Sequence, residues 1–459
     1  MPQPPQITPL IARLQNGIAS SAELAHALGV SQPSISRRLA RLTDDGQLLR
    51  IGLTRGARYG LRREIEGIGS NWPLRRIDRK GDIHEIGTLH SLAAGQYFFD
   101  PHPGALESGF AWGGISEGIP YFLQDQHPSG FLGRAVPRSY PELNLPQRVI
   151  DWTDDHYLRY LAQRGAETVS NLVLGDVAFN EYLGGLRHRT VIQDTQRETL
   201  YPALVAEVMR GGLPGSSAHG EHPKFAAGLH DDFGPRSVIV KFSPAMDTPV
   251  GQRWGDLLIA EHHAHQVLNG AGLAACSSRI FTFANRRFLE VDRFDREGLE
   301  GRIGVTSLLA IDTAQYGKLD KWVSSAARLC KDRRIEADVL DRVRLVATFG
   351  ALIANTDQHF GNLAFYDSYD GCFQLAPIYD MLPMLFAPEH DQIHAREFDP
   401  PHPTADTLPA WGLARSLAER YWRTLTEEAL ISPGFHQVSA ACLKTLEALP
   451  RTGAYGLRE

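Results

Sequence analysis

The stretch Asn355-Thr356-Asp357-Gln358-His359-Phe360-Gly361-Asn362, followed eighteen residues after its Asn362 by Asp380 in Ile378-Tyr379-Asp380-Met381, decides how this chain is read. An Asp, an Asn five positions on and a second Asp on a later strand end form the acidic equipment of phosphoryl transfer. In that chemistry the first Asp orients an attacking hydroxyl, while the Asn and the second Asp hold Mg²⁺ against nucleotide phosphates. Alone the spacing is weak, because Asp and Asn are ordinary turn residues. Its weight comes from what stands upstream, and in what order.

Upstream, Ser237-Val238-Ile239-Val240-Lys241-Phe242 reads as a buried strand beginning at Val238, bounded by Gly234-Pro235 and Pro244. Lys241 lies at its end, where a lysine can pair with a nucleotide phosphate. Before it runs the loop Gly215-Ser216-Ser217-Ala218-His219-Gly220-Glu221-His222-Pro223-Lys224-Phe225. Its small residues would let backbone N–H groups approach phosphate oxygens closely. No G-x-x-x-x-G-K-[ST] occurs here, so the P-loop ATPase reading lacks its fingerprint. Twenty residues after Lys241, Glu261 lies in a helical pattern from Trp254 to Leu268, with Leu257, Ala260, Ala264 and Leu268 on one face. A carboxylate there can pair with the strand lysine. Arg287 to Arg296 then reads as the strand entering a hinge between two lobes. Loop, Lys, Glu, hinge, Asp–Asn and Asp is a demanding order.

These residues resemble the HipA-like serine/threonine kinases, the toxins of bacterial toxin–antitoxin modules. The matching strings are Ser216 to Phe225, Val240-Lys241-Phe242-Ser243, Ala260-Glu261, Asp292-Arg293-Phe294-Asp295-Arg296, Asn355 to Asn362 and Tyr379-Asp380. Gly118 to Asp125 and Pro128 to Arg134 look like the family's N-terminal subdomain. With its own DNA-binding head, the chain looks most like the YjjJ branch. The resemblance implies ATP and Mg²⁺ as cofactors, Asp357 as catalytic base, Asn362 and Asp380 as metal ligands, and Lys241 as phosphate contact. It makes His359 a brace for the loop, and sets Ser217, Ala218, His219 and Gly220 beside the nucleotide with Lys241 and Glu261. A serine in that loop can be autophosphorylated, and Ser216 and Ser217 both fit. His219 and His222 stand where relatives often carry a small residue and Gln, which would alter the loop's phosphate contact. The implied fold is α+β: a winged helix–turn–helix followed by a two-lobed kinase fold with a mainly helical C-terminal lobe. The expected units are 1–63 (head), 85–150 (N-terminal-like subdomain), 151–298 (N-lobe) and 299–459 (C-lobe).

The chain has 459 residues, too many for one core, with 43% hydrophobic and 22% charged residues, ordinary for a globular protein. No run of about eighteen apolar residues occurs, so no membrane contact is expected. Met1-Pro2-Gln3-Pro4-Pro5-Gln6 lacks the charged and apolar regions of a signal peptide. Cys276, Cys330, Cys372 and Cys442 are dispersed and read as buried thiols of a reducing cytoplasm. Charge is uneven: residues 1–63 carry nine Arg against Glu23, Asp44 and Asp45, a net of +6 on a chain whose total is −6. A basic head on an acidic body argues for nucleic-acid contact at the head alone.

In that head, Ile7 to Leu14 reads as a first helix, Ser21 to Leu28 as a second and Ser31 to Leu42 as a third, with Gly29 in the turn between the last two. Ser20 or Ser21 can cap the second helix and Ser31 the third. Leu24, Leu28, Val30, Ile35, Leu39 and Leu42 form an apolar seam. Gln32, Ser34, Ser36 and Arg37 face outward to read base edges, and Arg38 and Arg41 suit phosphates. Gly46 to Leu61 reads as a hairpin wing whose tip places Arg55 for a minor groove. A winged helix serving only protein contacts is the alternative.

Other features have bland readings. Glu261-His262-His263-Ala264-His265 has no H-E-x-x-H, and its histidines point around different sides of a helix. Gly184-Gly185 reads as a turn, and Asp292 to Arg296 fits an ion-pair knot as well as a functional element. Pro137 to Arg148 reads as a linker and Ala387 to Leu408 as a long acidic loop. Two functions follow from different classes. One is a kinase acting on a protein substrate, with DNA bound by its head, an antitoxin partner by family likeness and a homodimer to read paired half-sites. The other is a DNA-binding regulator whose kinase fold is a weak sensor.

Overall fold

The head is built on a short apolar seam. Helices Pro9–Leu14, Ser21–Leu28 and Gln32–Asp44 bury Leu14, Leu24, Ile35 and Leu39 against Leu48 of a small sheet. Ser20 caps the second helix in a full capping box with Glu23, and Gly29 ends it in the left-handed region at φ 62°. Ser31 occupies the N-cap of the third helix but makes no side-chain capping bond; Pro33 presets that first turn instead. The wing pairs Leu48–Ile51 with Arg58–Leu61, and Ala19–Ser20 adds a third strand beside Arg58–Leu61. The computed structural model describes residues 9–52, 56–104, 114–211, 222–367 and 371–449. The wing-tip Arg55 and the loop residues Ser216, Ser217, Ala218, His219 and Gly220 lie outside them.

The wing runs directly into the next unit. Arg62 bridges to Leu92, the Ile18 N–H donates to Gln96 Oε1 at 3.0 Å, and Arg63 Nη1 meets Asp155 at 2.7 Å. A Cβ on Gly60 would lie 2.9 Å from Leu92 Cδ1, so a side chain here would force Leu92 to shift. That second unit is a five-stranded antiparallel sheet in the order Gly114–Glu117, Gln96–Pro101, Ile83–Ser91, Asn71–Ile77, Leu172–Leu174. It draws strands from both sides of residues 85–150. Helix Asp154–Arg164 lays Tyr157, Leu158 and Leu161 on Trp72, Leu89 and Phe99.

Two loop expectations need correction. Gly184 and Gly185 sit inside helix Asp176–His188, not in a turn. Ala178 and Tyr182 anchor that helix in a buried cluster, which offsets the roughly 1 kcal/mol cost of each glycine. The segment 137–148 is not a loose linker either: Val136, Leu143 and Leu145 pack in a cluster with Tyr160. Of the cysteines, Cys276 and Cys442 are buried as expected, whereas Cys330 and Cys372 are half-buried.

The kinase-like part has two lobes. The first is a five-stranded sheet ordered Ser278–Phe283, Arg286–Asp292, Gly234–Phe242, Lys224–Asp231, Val191–Gln193. Its central strand starts at Gly234, four residues earlier than the apolar run suggests, because Gly234 turns the hairpin with Lys224–Asp231. Helix Pro249–Gly270 crosses it, five residues longer at its start than the apolar pattern, with Thr248 accepting from the Gly251 N–H at 3.0 Å. The second lobe is helical: Leu308–Gln315, Trp322–Lys331, Ala337–Leu352, Leu408–Glu427 and Pro433–Ala448. In Ala337–Leu352, Val339, Val343, Val346 and Phe349 form one buried stripe against Trp411, Tyr421 and Trp422. Each such side chain contributes about 1.5–3 kcal/mol of burial, which helix propensity alone could not supply. The segment 387–407 between Met384–Phe386 and Leu408–Glu427 contains no helix or strand.

Candidate active site

The site forms where a strand, a helix and two loops converge between the lobes. Lys241 lies near the end of strand Gly234–Phe242, with its side chain buried. Its ammonium donates to Glu261 Oε1 at 2.6 Å and Oε2 at 2.7 Å, and also to Asp380 Oδ1. Glu261 lies midway along helix Pro249–Gly270, whose first turn packs tightly on the turn before it: a Cβ on Gly251 would lie 1.9 Å from the Ala245 carbonyl oxygen. Asp380 adopts φ 51°, a left-handed conformation that Asp tolerates better than most residues.

Burial disfavours the charge on all three groups, but their mutual attraction decides the outcome. Burial lowers the Lys241 ammonium, yet Asp380 and Glu261 together raise it above the ordinary lysine value. Burial raises the Asp380 carboxyl, yet Lys241 and then Lys224 hold it well below the carboxylate range. Glu261 ends above its ordinary value, because burial and the Asp380 charge outweigh Lys241. One lysine shared by two carboxylates leaves the second one under-compensated.

The loop carrying Asp357 is held by five hydrogen bonds, three within it and two from outside. The Asp357 N–H donates to Asn355 Oδ1 at 2.9 Å, and Asn362 Nδ2 donates to the Asp357 carbonyl at 2.9 Å. His359 Nδ1 accepts from the Gly361 N–H at 3.1 Å, while Trp322 Nε1 donates to the His359 carbonyl at 3.1 Å. Tyr379 Oη donates to the Gly361 carbonyl at 2.6 Å, tying this loop to the residue before Asp380; Asp380 itself lies beyond strand Gln374–Leu375 and not, as expected, on a strand end. Asp357 and His359 are exposed; Asn355 and Asn362 are buried. Burial and then Asp380 raise the Asp357 carboxyl, against the nearby His359.

A cleft lies between the lobes, with Ile239 and Val291 among its apolar lining and Lys224, Lys241, Glu261 and Asp380 at its polar end. Lys224, which the sequence places in the loop, instead opens strand Lys224–Asp231. It sits directly opposite Lys241 in the antiparallel register and is buried, so the cleft presents two lysines. Only the strand pairing reveals this. Asp125 also lines the cleft, from the sheet unit: its carboxylate accepts from Ser307 N and Ser307 Oγ, both at 2.5 Å. His222 packs on Trp254 at 4.6 Å between ring centroids, and burial together with Lys241 and Lys224 pushes it down to about 3. Such a group is neutral at physiological pH.

The Asp292-Arg293-Phe294-Asp295-Arg296 segment is a buried ion-pair knot. Arg293 grips Asp295 at 2.7 and 2.8 Å, and Arg296 adds a bond at 2.6 Å. Burial would raise the Asp295 carboxyl, but the two guanidiniums hold it well below its usual range. Arg296 also donates to the Thr168 and Ser170 carbonyls, pinning the strand exit to the sheet unit. The histidines of helix Pro249–Gly270 have local partners: His262 and His265 contact Ser278 Oγ, and His263 contacts Glu428 at 2.8 Å. No group of three or more His, Cys, Asp or Glu among the described residues converges as a metal cage.

On the head, Gln32, Ser36, Arg37, Arg38 and Arg41 are exposed along helix Gln32–Asp44, and Ser34 is half-buried. Gln32 Nε2 also donates to Ser21 Oγ at 3.3 Å, joining the first turn of this helix to the second helix. Arg41 stands 3.9 Å from Asp45, both largely exposed, too loose a pair to neutralise it.

Fold and cleft together define a two-lobed, HipA-like kinase fold with a winged helix–turn–helix in front. Residues 68–183 match the family described as YjjJ-like toxin, middle domain; residues 216–432 match the HipA-like C-terminal domain; residues 14–48 match a winged helix-turn-helix DNA-binding family. Toxin YjjJ of Escherichia coli (strain K12) is 33% identical over 437 residues, covering 93% of this chain and 94% of that protein. The solved Shewanella oneidensis MR-1 toxin–antitoxin assembly of HipA, HipB and operator DNA contains a chain of like fold. Its TM-score is 0.53 at 15% identity, over 82% of this chain and 96% of that one. The chain belongs to the YjjJ-like branch of the HipA-like toxin family.

Proposed function

We propose that this chain is a serine/threonine protein kinase that moves the γ-phosphate of Mg-ATP onto a protein hydroxyl and binds DNA through its own head. The observation that carries the reading is the Lys241 ammonium shared by Glu261 and Asp380, beside a braced loop bearing Asp357 and Asn362. Glu261 positions Lys241, and Lys241 contacts phosphate oxygens. Asp357 is exposed, as a group that must accept a proton from a substrate hydroxyl requires. His359 keeps that loop in shape through its bond to the Gly361 N–H.

The residues present suit a magnesium nucleotide. Asp380 and Asn362 offer hard oxygen donors, and Mg²⁺ is ordinarily held by one or two carboxylates with phosphates supplying the rest. Three carboxylates, Glu261, Asp380 and Asp357, are set against the two ammoniums of Lys241 and Lys224, with His359 beside Asp357, a balance that a divalent cation would favour. The metal supplies neutralisation of charge on the phosphates as they transfer. Ser217, Ala218, His219 and Gly220 would cover those phosphates, and Ser216 or Ser217 would take a phosphate in a self-limiting step. An antitoxin and a homodimer are part of the same proposal, by likeness to the HipA–HipB–DNA assembly and to dimeric helix–turn–helix proteins.

The second reading, a DNA-binding regulator with a catalytically weak sensor domain, draws on one contact. Lys241 reaches Asp380 directly, so a metal would have to compete with an ammonium for that carboxylate. Incubation with γ-labelled Mg-ATP separates the two. Label on serine or threonine that Asp357→Asn abolishes supports the kinase; nucleotide binding without transfer to the chain or to added cell protein supports the sensor.

A further inference from the structure

Asn362 is anchored, through its two following residues, to a distant part of the chain. That anchor starts at Asp125, which follows the short helix Tyr121–Gln124 of the sheet unit. The residues around Asp125 are fixed there: Gln126 Nε2 donates to the Leu172 carbonyl at 3.1 Å, and Tyr157 Oη donates to the Leu123 carbonyl. From this base the Asp125 carboxylate, at the cleft wall, accepts both donors of Ser307, the N–H and the hydroxyl, each at 2.5 Å. Two hydrogen bonds to one carboxylate fix an orientation as well as a distance.

Ser307 passes the constraint on. Its Oγ accepts from the Ala310 N–H at 3.1 Å, capping helix Leu308–Gln315. In strand Val305–Ser307 it stands in register with Ala364, and the next N–H, that of Leu308, donates to the Leu363 carbonyl at 2.7 Å. Leu363 and Ala364 directly follow Asn362, and helix Leu308–Gln315 packs against both Tyr121–Gln124 and the turn Phe360–Asn362. Ser307, Asn362 and Leu363 are all buried, so a displacement of one has little room to dissipate before it reaches the next. The sheet unit has further ties to the lobes. Ser170 donates its N–H to Asp295 Oδ2 and accepts on Oγ from the Val305 N–H, each at 3.0 Å, and Arg296 holds the Thr168 and Ser170 carbonyls. These ties survive the loss of Asp125 and keep the units docked.

We infer that Asp125 is a positioning residue of the nucleotide site: through Ser307 and Leu363 it sets where Asn362 presents its side chain, so that the sheet unit completes a site otherwise built by the two lobes. This rests on the reading of Asn362 as a magnesium ligand, and its test does not depend on phosphate transfer. A fluorescent ATP analogue would be titrated onto the full chain in excess EDTA and again over a series of Mg²⁺ concentrations. In wild type, magnesium tightens binding. Asp125→Ala should bind the metal-free nucleotide within about twofold of wild type yet need about tenfold more Mg²⁺ for half the tightening, the low end of what groups behind a metal ligand supply. Asp125→Asn, which retains one acceptor for Ser307, should fall between the two, and carries the test if the alanine variant does not melt cooperatively. Ser170→Ala, which removes another tie between the same units, should keep the wild-type response. Wild-type magnesium dependence in the Asp125 variants would overturn the inference. So would an equal loss of metal-free and magnesium-bound affinity, or the same shift in Ser170→Ala, because each marks a general loosening. A wild type whose nucleotide binding ignores magnesium overturns it together with the metal assignment. A magnesium response that depends on Asp125, in a chain that never transfers phosphate to protein, would sink the kinase reading and leave this role standing.

Discussion

Lys224 and Lys241 face each other across adjacent antiparallel strands, in direct register, with both side chains buried at the polar end of the cleft. Two ammoniums so placed are tolerable because Asp380 and Glu261 stand against them. Lys241→Met leaves Glu261 and Asp380 without their direct partner, so it should destabilise the fold by about 3 kcal/mol as well as abolish transfer. Adding Glu261→Gln should recover much of the stability and none of the activity. Urea denaturation beside an activity assay checks both halves.

Gly251 tests how the glutamate helix is seated. With a Cβ only 1.9 Å from the Ala245 carbonyl, Gly251→Ala must displace the first turn of Pro249–Gly270. A loss of about 1–3 kcal/mol in stability is expected. Because the same helix carries Glu261, activity should fall further than stability alone explains. Gly412→Ala, where the added Cβ meets nothing within 4 Å, is the matched control and should be neutral or slightly stabilising.

Asp367 should make stability depend on pH near neutrality. Burial pushes its carboxyl up to about 7 from an ordinary 3.8, despite the bond from Thr306 Oγ1 at 2.8 Å. A carboxyl raised in the folded chain keeps its proton there while the unfolded chain has lost it. Its contribution is therefore fully present below about pH 4 and is lost as pH rises to about 7. Asp367→Asn should come closest to wild type near pH 4 and melt higher near pH 8. Melting curves at the two pH values decide it; a wild-type chain that gains stability over that range relative to Asp367→Asn would contradict the assignment.

On the head, Arg37 and Arg38 should differ in kind. Arg38→Ala should weaken binding evenly across sequences and lower the slope of log affinity against log salt by about 1. Arg37→Ala should cost about 1–3 kcal/mol and relax sequence preference at one position. Anisotropy titrations on the promoter upstream of the gene and on random duplex, at several salt concentrations, separate these outcomes.

Much of the cleft could be read from the chain because its groups sit in or beside elements and a loop whose local patterns are strong. Lys241 closes a β-branched run, Glu261 lies on a helix with a clear apolar face, and Asp357 and Asn362 share one short loop. What the sequence hid depends on contacts between distant segments. Lys224 pairs with Lys241 through strand register, and Asp125 meets Ser307 across 182 residues, with no local signal for either. The Gly184-Gly185 error has the opposite cause: a local breaker signal was overridden by the burial of Ala178 and Tyr182 on the same helix. The ion-pair knot at Arg293, Asp295 and Arg296 was legible as charge alternation, but its anchoring to Thr168 and Ser170 was not.

The central claim, that Asp357, Asn362 and Asp380 serve phosphoryl transfer, is tested most directly by intact-mass spectrometry after incubation with Mg-ATP. Wild type, Asp357→Asn and Asp380→Asn would be compared, with phosphosite mapping and a melting curve for each. The account predicts added phosphate on wild type alone, mapped to Ser216 or Ser217, with all three proteins folded. Phosphate on Asp357→Asn at the wild-type level, or none on wild type even with added cell protein present, would contradict it.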